Sequence, residues 1–285
     1  MKLFRFIAAI CCVAVISCTE KQEQQVPAPE VSVPELPSDP QPDNTSFHHR
    51  ILLLQHTGTY CSNCPNLMSS LKALAGLEEY ADKYQHVAAH SYNSDGDPAY
   101  SQAAANLSQA FCSGYYPELT FNLTRENTGT SLAVSTITGI IDHLHKDKAN
   151  VGIAAAAGFS DNAIDVNVQI KAAVAGQYRI AVWVLEDGIR GRQEGASEDW
   201  MNTHNNAVRA MAGNTLNMRI YGEKTGELQA GQTAEKSFSL AVDENWNVDE
   251  CKVLVVVNEA SADGRYDLAN CAFCPIGGTI TYDYR

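Results

Sequence analysis

The sequence is poor in basic residues and, after its first 18 residues, has no long apolar segment. Its 20 Lys and Arg residues face 33 Asp and Glu residues, which gives a formal net charge of −13 at pH 7. Because such a surface repels polyanions, we expect no nucleic-acid partner and no binding to anionic membrane surfaces. No later stretch approaches the 18 consecutive apolar residues that indicate a membrane-spanning helix.

The chain also lacks the short motifs of several enzyme and metal-binding classes. It has no GxSxG, phosphate-binding loop or dinucleotide fingerprint. Residues 93–97 resemble the start of a calcium loop, but Gly96 is at the fourth place rather than the sixth, and Ala104 replaces the final Glu. The pairs His48-His49 and His143/His145 lack partner ligands at metal spacing. We therefore expect no cofactor and no metal.

The first 18 residues have the three parts of a bacterial lipoprotein signal peptide. Lys2 and Arg5 give a positive start, and an apolar run from Phe6 to Ile16 follows. Val15-Ile16-Ser17-Cys18 fits the lipobox, at which a lipid is attached to the Cys18 thiol and the peptide is cut before it. We expect a membrane anchor through this N-terminal lipid; the alternatives are an ordinary secretory signal with an incidental cysteine, or a buried helix.

A proline-rich segment, residues 19–46, follows the predicted signal peptide. It holds six of the ten prolines between Gln, Glu, Ser and Asp, a composition that favours an extended, solvated chain over a packed core. We predict a disordered tether here. Because Thr19 rather than Asp follows Cys18, we expect the anchor in the bacterial outer membrane, with the protein on its periplasmic or its surface face.

Residues 47–149 alternate strand and helix patterns, which predicts an α/β layer. The apolar run 50–56 leads to Cys61-Ser62-Asn63-Cys64-Pro65, after which leucines recur at helical spacing. The further predicted elements are a strand at 86–92, a helix at 98–111, a strand at 118–123 and a helix at 131–148.

A CxxC motif between a strand and a helix can carry redox chemistry. The helix N-terminus stabilises a thiolate at Cys61, and Cys64 lies one turn into the helix, close enough to form a disulfide. Cys61 would attack a partner's disulfide, and Cys64 would resolve the mixed disulfide. The alternative is a structural disulfide without turnover.

Residues 114–121 place Pro117 between a bulky residue and an apolar strand. This resembles the cis-proline loop of thioredoxin-like folds, which packs against the CxxC and would shape the groove for a partner. Two positions depart from the thioredoxin pattern: Tyr60 stands where Trp is usual, and Gln55 stands where a buried acid assists proton transfer. A neutral amide cannot take up a proton, which weakens the enzyme interpretation.

The run from Thr57 to Pro65, TGTYCSNCP, with GYYPELTFN downstream and the lipoprotein start, resembles the twenty-eight-kilodalton outer-membrane protein family of Bacteroidetes. Residues 204–209 resemble a further family segment less specifically. The resemblance implies an outer-membrane lipoprotein in which a thioredoxin-like domain precedes a β-rich domain.

From residue 150 the apolar periodicity is two, which predicts an antiparallel β-sandwich of immunoglobulin-like type over 150–285. A long polar connection at 186–217 interrupts the strands. Trp200 and His204 within it could form a partner contact; the alternative is that Trp200 covers the edge of the sandwich. The predicted fold class is therefore an α/β thioredoxin-like domain at 47–149 followed by this β-sandwich.

Four cysteines beyond the first CxxC remain in the predicted mature chain. A second CxxC, Cys271 to Cys274, precedes a strand and so lacks the helix dipole. We expect a structural disulfide between Cys251 and one of this pair; a zinc site of these three with Cys112 is the alternative. Cys112 is either a third redox thiol or half of a structural bridge.

The sequence supports two functions from different classes. In the first, Cys61 and Cys64 exchange disulfides with a protein partner. In the second, the chain is a non-catalytic binding or adhesion lipoprotein, in which the CxxC is a structural disulfide and the β domain binds a surface ligand.

Overall fold

The computed structural model of the protein describes residues 34–130, 132–212 and 219–285. The predicted signal peptide with Cys18, and residues 19–33 of the predicted tether, lie outside the described residues. No helix in these three ranges is long and apolar enough to cross a membrane.

Within the described ranges the chain forms fifteen strands and three α-helices. The helices are α1 Cys64–Ala75, α2 Gln102–Phe111 and α3 Val134–Leu144. The strands of the first half are β1 Ile51–Thr57, β2 Tyr84–His90, β3 Glu118–Phe121 and β4 Thr124–Thr130. Those of the second half are β5 Val151–Ser160, β6 Ala163–Ala172, β7 Gly176–Glu186, β8 Ile189–Arg190, β9 Thr203–His204, β10 Ala207–Met211, β11 Glu223–Leu228, β12 Thr233–Ala241, β13 Cys251–Ala260, β14 Tyr266–Pro275 and β15 Gly278–Ile280.

Nine strands form one mixed sheet that runs through both halves of the chain. Its order is β14-β13-β7-β10-β2-β1-β3-β4, with β11 paired to β7 beside β10. The two halves meet where β10 runs parallel to β2, with Ala207 opposite Ala88. The Ala88 amide donates to the Asn206 carbonyl across this join, at 2.8 Å.

The helices cover the two faces of this sheet because apolar side chains alternate along its strands. On β1, Ile51 and Leu53 pack with α1 and α3. Leu52 and Leu54 face the other way, into a cluster with α2. That cluster also contains side chains of β7, β13 and β14, so α2 covers strands from both halves of the chain.

A second sheet of four strands, in the order β12-β6-β5-β15, packs on the opposite face of β7 and β13. Its strands follow the predicted alternation, since Ile164, Val166 and Val168 of β6 are buried between the sheets. The join between this layer and the first half includes the buried side chain of Asn270. Its amide donates to the carbonyls of His48 and Val151, each at 3.0 Å, and its Oδ1 accepts from the Arg50 amide.

The predicted fold class is wrong. Strands dominate the described chain, and those assigned to an α/β thioredoxin-like domain belong to the same large mixed sheet as β7, β10, β13 and β14. Of the strands assigned to an immunoglobulin-like β-sandwich, β7 and β13 are part of that large sheet, whereas β5, β6, β12 and β15 form the second sheet. The apolar periodicity correctly predicted which side of each strand is buried. It carries no information on which strands pair when a long connection separates them in sequence.

Residues 39–42 of the predicted tether contact the second half of the chain. Lys171 on β6 is only 2% exposed. Its Nζ donates to Asp39 Oδ2 at 2.9 Å and to the carbonyls of Gln41 and Pro42. Because a buried ammonium needs compensating partners, these contacts fix residues 39–42 against β6.

Because both halves of the chain contribute strands to one sheet, we expect the two halves to unfold together. Leu54→Ala in the first half and Leu254→Ala in the second each remove a fully buried side chain from the cluster under α2. We expect each to lower the free energy of unfolding by about 2–5 kcal/mol, in urea unfolding followed by circular dichroism and tryptophan fluorescence. Both variants should shift one common transition, whereas Val174→Ala, at a 46% exposed position, should shift it little. Two transitions, each moved by only one variant, would contradict the shared sheet.

Candidate functional site

Cys61 and Cys64 form a disulfide at the junction of β1 and α1, with their Cα atoms 5.3 Å apart. Strand β1 ends at Thr57, and Cys64 is the first residue of α1, followed by Pro65. Proline suits a first helical turn because its missing N–H has no intrahelical acceptor there. Cys61 is 3% exposed and Cys64 is fully buried.

Pro117 lies at the same edge of the sheet as this disulfide. Strand β3 runs antiparallel to β1, with Glu118 opposite His56. Pro117, which precedes Glu118, is therefore beside the end of β1 from which the CxxC loop leaves. The Tyr116–Pro117 peptide bond is cis.

Residues 191–195, which we call the cover segment, lie over the CxxC loop. The Gln193 side chain is 2% exposed, and its Nε2 donates to the Cys61 carbonyl at 2.9 Å. The Glu194 amide donates to the Thr59 carbonyl at 2.7 Å. Part of the polar connection predicted at 186–217 therefore packs against the backbone of the CxxC loop.

Gly195 brings the cover segment into direct contact with the CxxC backbone. Its φ is +75°, and a Cβ added there would lie 2.4 Å from the Ser62 carbonyl oxygen. A side chain at this position would be both strained and in collision with backbone. The close approach therefore depends on glycine.

A buried carboxylate, Asp97, holds the same loop from the other side. Its Oδ2 accepts from the Thr59 amide at 2.8 Å and from His90 Nδ1 at 3.0 Å, and its Oδ1 accepts from the Ala99 amide. Burial alone would raise the pKa of Asp97, but these hydrogen bonds outweigh it and lower the pKa below its usual range. The 93–97 motif therefore contributes an anchor for the CxxC loop.

Gln55 and His56 point to opposite faces of β1. Gln55 Oε1 accepts from His86 Nε2 at 3.0 Å on the α1 face. His56 is buried on the α2 face between Ser108 Oγ and Thr120 Oγ1. Burial lowers the pKa of His56 to about 3 and that of His86 to about 4. Both imidazoles are consequently neutral at pH 7.

The four candidates for structural disulfides, Cys112, Cys251, Cys271 and Cys274, are buried free thiols. Burial raises their pKa values to between about 11 and about 12. Cys271 and Cys274 cannot pair with each other, because residues three apart on a strand point to opposite faces. They belong to separate core clusters on the two sides of β14. Among the described residues, no three His, Cys, Asp or Glu side chains are grouped to hold a metal ion.

A cavity of about 500 Å³ opens beside the CxxC helix, between α1, the strands β1 and β2, and residues 200–206. It brings together Trp200 and His204, which the sequence singled out, with His86 and His90, which it did not. The available signal was the spacing of HVAAH, since every second residue of a strand lies on one face. Lys72 of α1 lies over the Trp200 ring, with its Nζ 4.0 Å from the ring centroid.

If the cover segment shields the disulfide, weakening it should speed reduction. Gln193→Ala removes the side-chain hydrogen bonds to the CxxC loop, each worth about 0.5–1.5 kcal/mol. We expect dithiothreitol to reduce Cys61–Cys64 on the order of tenfold faster in this variant, measured by thiol alkylation and mass spectrometry. Gln177→Ala, at an exposed site, is the matched control. An unchanged rate would mean that the reductant reaches the sulfurs without displacing the cover segment.

The lowered pKa of His56 predicts acid sensitivity. An unfolded histidine has a pKa of about 6.5, so below that pH the unfolded chain binds a proton that folded His56 refuses. The contribution of neutral His56 to the free energy of unfolding is complete above pH 6.5 and is lost as the pH falls toward 3. From pH 7 to pH 5 the loss is about 2 kcal/mol for this group. In urea unfolding, His56→Gln should reduce the pH dependence by that amount, whereas His48→Gln, at an exposed site, should not. If the free energy of unfolding fell equally between pH 7 and pH 5 in the wild type and both variants, His56 would not be the source of the acid sensitivity.

Two solved structures resemble this chain over most of its length. HBP35 of Porphyromonas gingivalis is 14% identical, with 82% of this chain and 77% of that chain covered and a TM-score of 0.64. A structural-genomics protein of Agrobacterium tumefaciens is 14% identical, with 81% of this chain and 96% of that chain covered and a TM-score of 0.51. At these identities the similarity is one of fold alone. No curated protein matches the chain.

The sequence pattern of the outer membrane protein family Omp28 matches residues 109–269, more than half of the chain. The match spans both halves of the large sheet and includes Pro117, the cover segment and the cavity residues Trp200 and His204. It confirms the resemblance noted from the CxxC region. The chain belongs to the Omp28 family of outer membrane proteins.

Proposed function

We propose that this outer-membrane protein is anchored by a lipid on Cys18 and exchanges disulfides with a partner protein at Cys61 and Cys64. The observation that carries the exchange is the Cys61–Cys64 bond at the first turn of α1. Among the described cysteines these two are the ones joined to each other. The other four are buried thiols whose raised pKa values make them poor nucleophiles.

The position at the start of α1 favours a thiolate in the reduced form. The unpaired N–H groups of a helix N-terminus carry a partial positive charge. A thiolate at Cys61, just before the helix, interacts favourably with that charge, whereas the neutral thiol gains little. We therefore expect reduced Cys61 to have a pKa below the ordinary value of about 8.5.

The exchange conserves atoms and electrons. The Cys61 thiolate attacks one sulfur of a partner disulfide, and the other partner sulfur leaves as a thiolate. The Cys64 thiolate then attacks Cys61 Sγ in the mixed disulfide, forms the Cys61–Cys64 bond and releases the second partner thiolate. The partner gains two electrons and this chain loses them; the reverse sequence oxidises a partner dithiol.

The cover segment sets a condition on this exchange. A partner sulfur must approach Cys61 Sγ along the S–S axis, but Cys61 is 3% exposed behind Gln193 and Gly195. The partner therefore has to displace residues 191–195, whose contacts with the loop are hydrogen bonds to backbone carbonyls. Exchange would be selective for partners that bind this segment.

A non-catalytic binding lipoprotein is the second candidate, and one observation favours it. Gln55 on the strand before the CxxC is hydrogen-bonded to neutral His86, so this pair offers no carboxylate to accept a proton from Cys64. In that case the disulfide braces the loop, and the cavity beside α1 is the functional feature.

A trapped intermediate separates the two candidates. The Cys64→Ala variant of the full chain keeps the attacking Cys61 but cannot resolve a mixed disulfide. We expect covalent adducts through Cys61 when this variant is expressed in its native envelope, seen as reducible bands and identified by mass spectrometry.

The matched control is the Cys61→Ala/Cys64→Ala double variant, which should form none of these adducts. In a parallel assay, the reduced wild-type chain should reduce an added protein disulfide, and Cys61→Ser should not. Equal rates for wild type and Cys61→Ser, with no Cys61-specific adduct, would overturn the exchange proposal in favour of the binding candidate.

A further inference from the structure

We propose that the cavity beside α1 binds a small organic acid that carries a carboxylate, an amide N–H and an apolar group. This inference rests on the cavity alone and holds whether or not Cys61 and Cys64 exchange disulfides. Its volume of about 500 Å³ is within the range of pockets that enclose small molecules.

The charge around the cavity favours an anion. None of the described side chains that line it is a carboxylate, although the whole chain has a net charge of −13. Lys72 contributes an ammonium at the wall, and among the described residues it makes no ion pair with an acid. The acids just behind the lining are already paired: Asp97 with His90, and Asp187 with Lys252 at 2.5 Å.

His86 and His204 do not supply that positive charge at pH 7, and His90 is hydrogen-bonded to Asp97. Burial lowers the pKa values of His86 and His204 to about 4. Each also has a fixed partner, since His86 donates to Gln55 and His204 Nε2 donates to the Gly191 carbonyl at 3.0 Å. His86 and His204 are therefore neutral polar groups of the cavity lining, and Lys72 is the cationic contact for a carboxylate.

Two buried polar atoms of the lining residues have no hydrogen-bond partner in the part of the chain that the structure describes. They are Trp200 Nε1, a donor, and Asn206 Oδ1, an acceptor. Buried polar atoms are nearly always hydrogen-bonded, so an unpaired donor and an unpaired acceptor around one cavity indicate a missing partner. A small turn of each side chain toward the cavity would let a ligand carboxylate accept from the Trp200 N–H and a ligand amide N–H donate to Asn206 Oδ1.

The remaining wall of the cavity is apolar, which is why the proposed ligand carries an apolar group. Met68 and Leu71 of α1 face the cavity, and the Trp200 ring lies opposite the Lys72 side chain. An aromatic or branched aliphatic group packs against such surfaces, while the polar groups at the other end fix its orientation. N-acetyl-phenylalanine combines all three features and is small enough to serve as the probe.

A pair of isosteric probes tests the proposal. Binding of N-acetyl-phenylalanine and of its uncharged amide, N-acetyl-phenylalaninamide, is measured on the oxidised full chain by isothermal titration calorimetry. We expect the acid to bind about tenfold more tightly than the amide, because the charge-assisted contact to Lys72 exists only for the carboxylate.

Two variants assign the preference to the cavity. Lys72→Gln should bring the ratio of the two dissociation constants close to one, and Trp200→Phe should weaken the acid about fivefold or more. Lys236→Gln, on β12 away from the cavity, is the control and should behave as wild type. Circular dichroism confirms that each variant is folded.

Three results would overturn the proposal. The first is equal binding of the two probes to the wild type. The second is no detectable binding of the acid at about 10 mM, a concentration tenfold above a millimolar dissociation constant. The third is a preference for the acid that survives Lys72→Gln. Because no step of this assay breaks the Cys61–Cys64 bond, its failure is distinguishable from failure of disulfide exchange.

Discussion

The site depends on the short parallel join between β2 and β10, where Ala88 lies opposite Ala207. Strand β10 pairs with β7 on its other side, so this join makes one sheet of the two halves. The pairing of β10 with β7 also fixes both ends of the connection from Glu186 to Ala207 on neighbouring strands. A connection of that length cannot lie flat between adjacent strands. It extends over the end of the sheet, where its first part covers the CxxC loop and its last part closes the cavity.

The CxxC loop is therefore held by sequence-distant parts of the chain. Asp97 reaches the Thr59 amide from the first half, while Gln193 and Glu194 reach carbonyls of the same loop from the second. These contacts use backbone groups of the loop, so they constrain its shape without specifying its side chains. The disulfide exchange proposed at Cys61 and the ligand binding proposed beside α1 would therefore share one structural element, because residues 191–206 border both.

Local features of the fold were predictable, and long-range ones were not. Apolar periodicity located β1, β6 and β7 closely, and the helical pattern after Cys64 located α1. The outer-membrane family was also identified from the CxxC region. The continuous sheet was missed because β10 is short and pairs with β2 across more than a hundred residues of chain. Gln193 and Asp97 were missed for a related reason: an isolated Gln or Asp in a polar loop carries no local signal for the backbone group that it contacts.

The Lys171 contacts limit how far the folded part of the protein can lie from a lipid anchor. If Cys18 bears the lipid, the chain available as a leash ends near Asp39, where Lys171 holds it, rather than at the first strand. About twenty residues at roughly 3.5 Å each allow a span of about 70 Å at most. With such an anchor, the folded part would stay within that distance of the lipid, and a partner of the CxxC loop would have to come within the same distance.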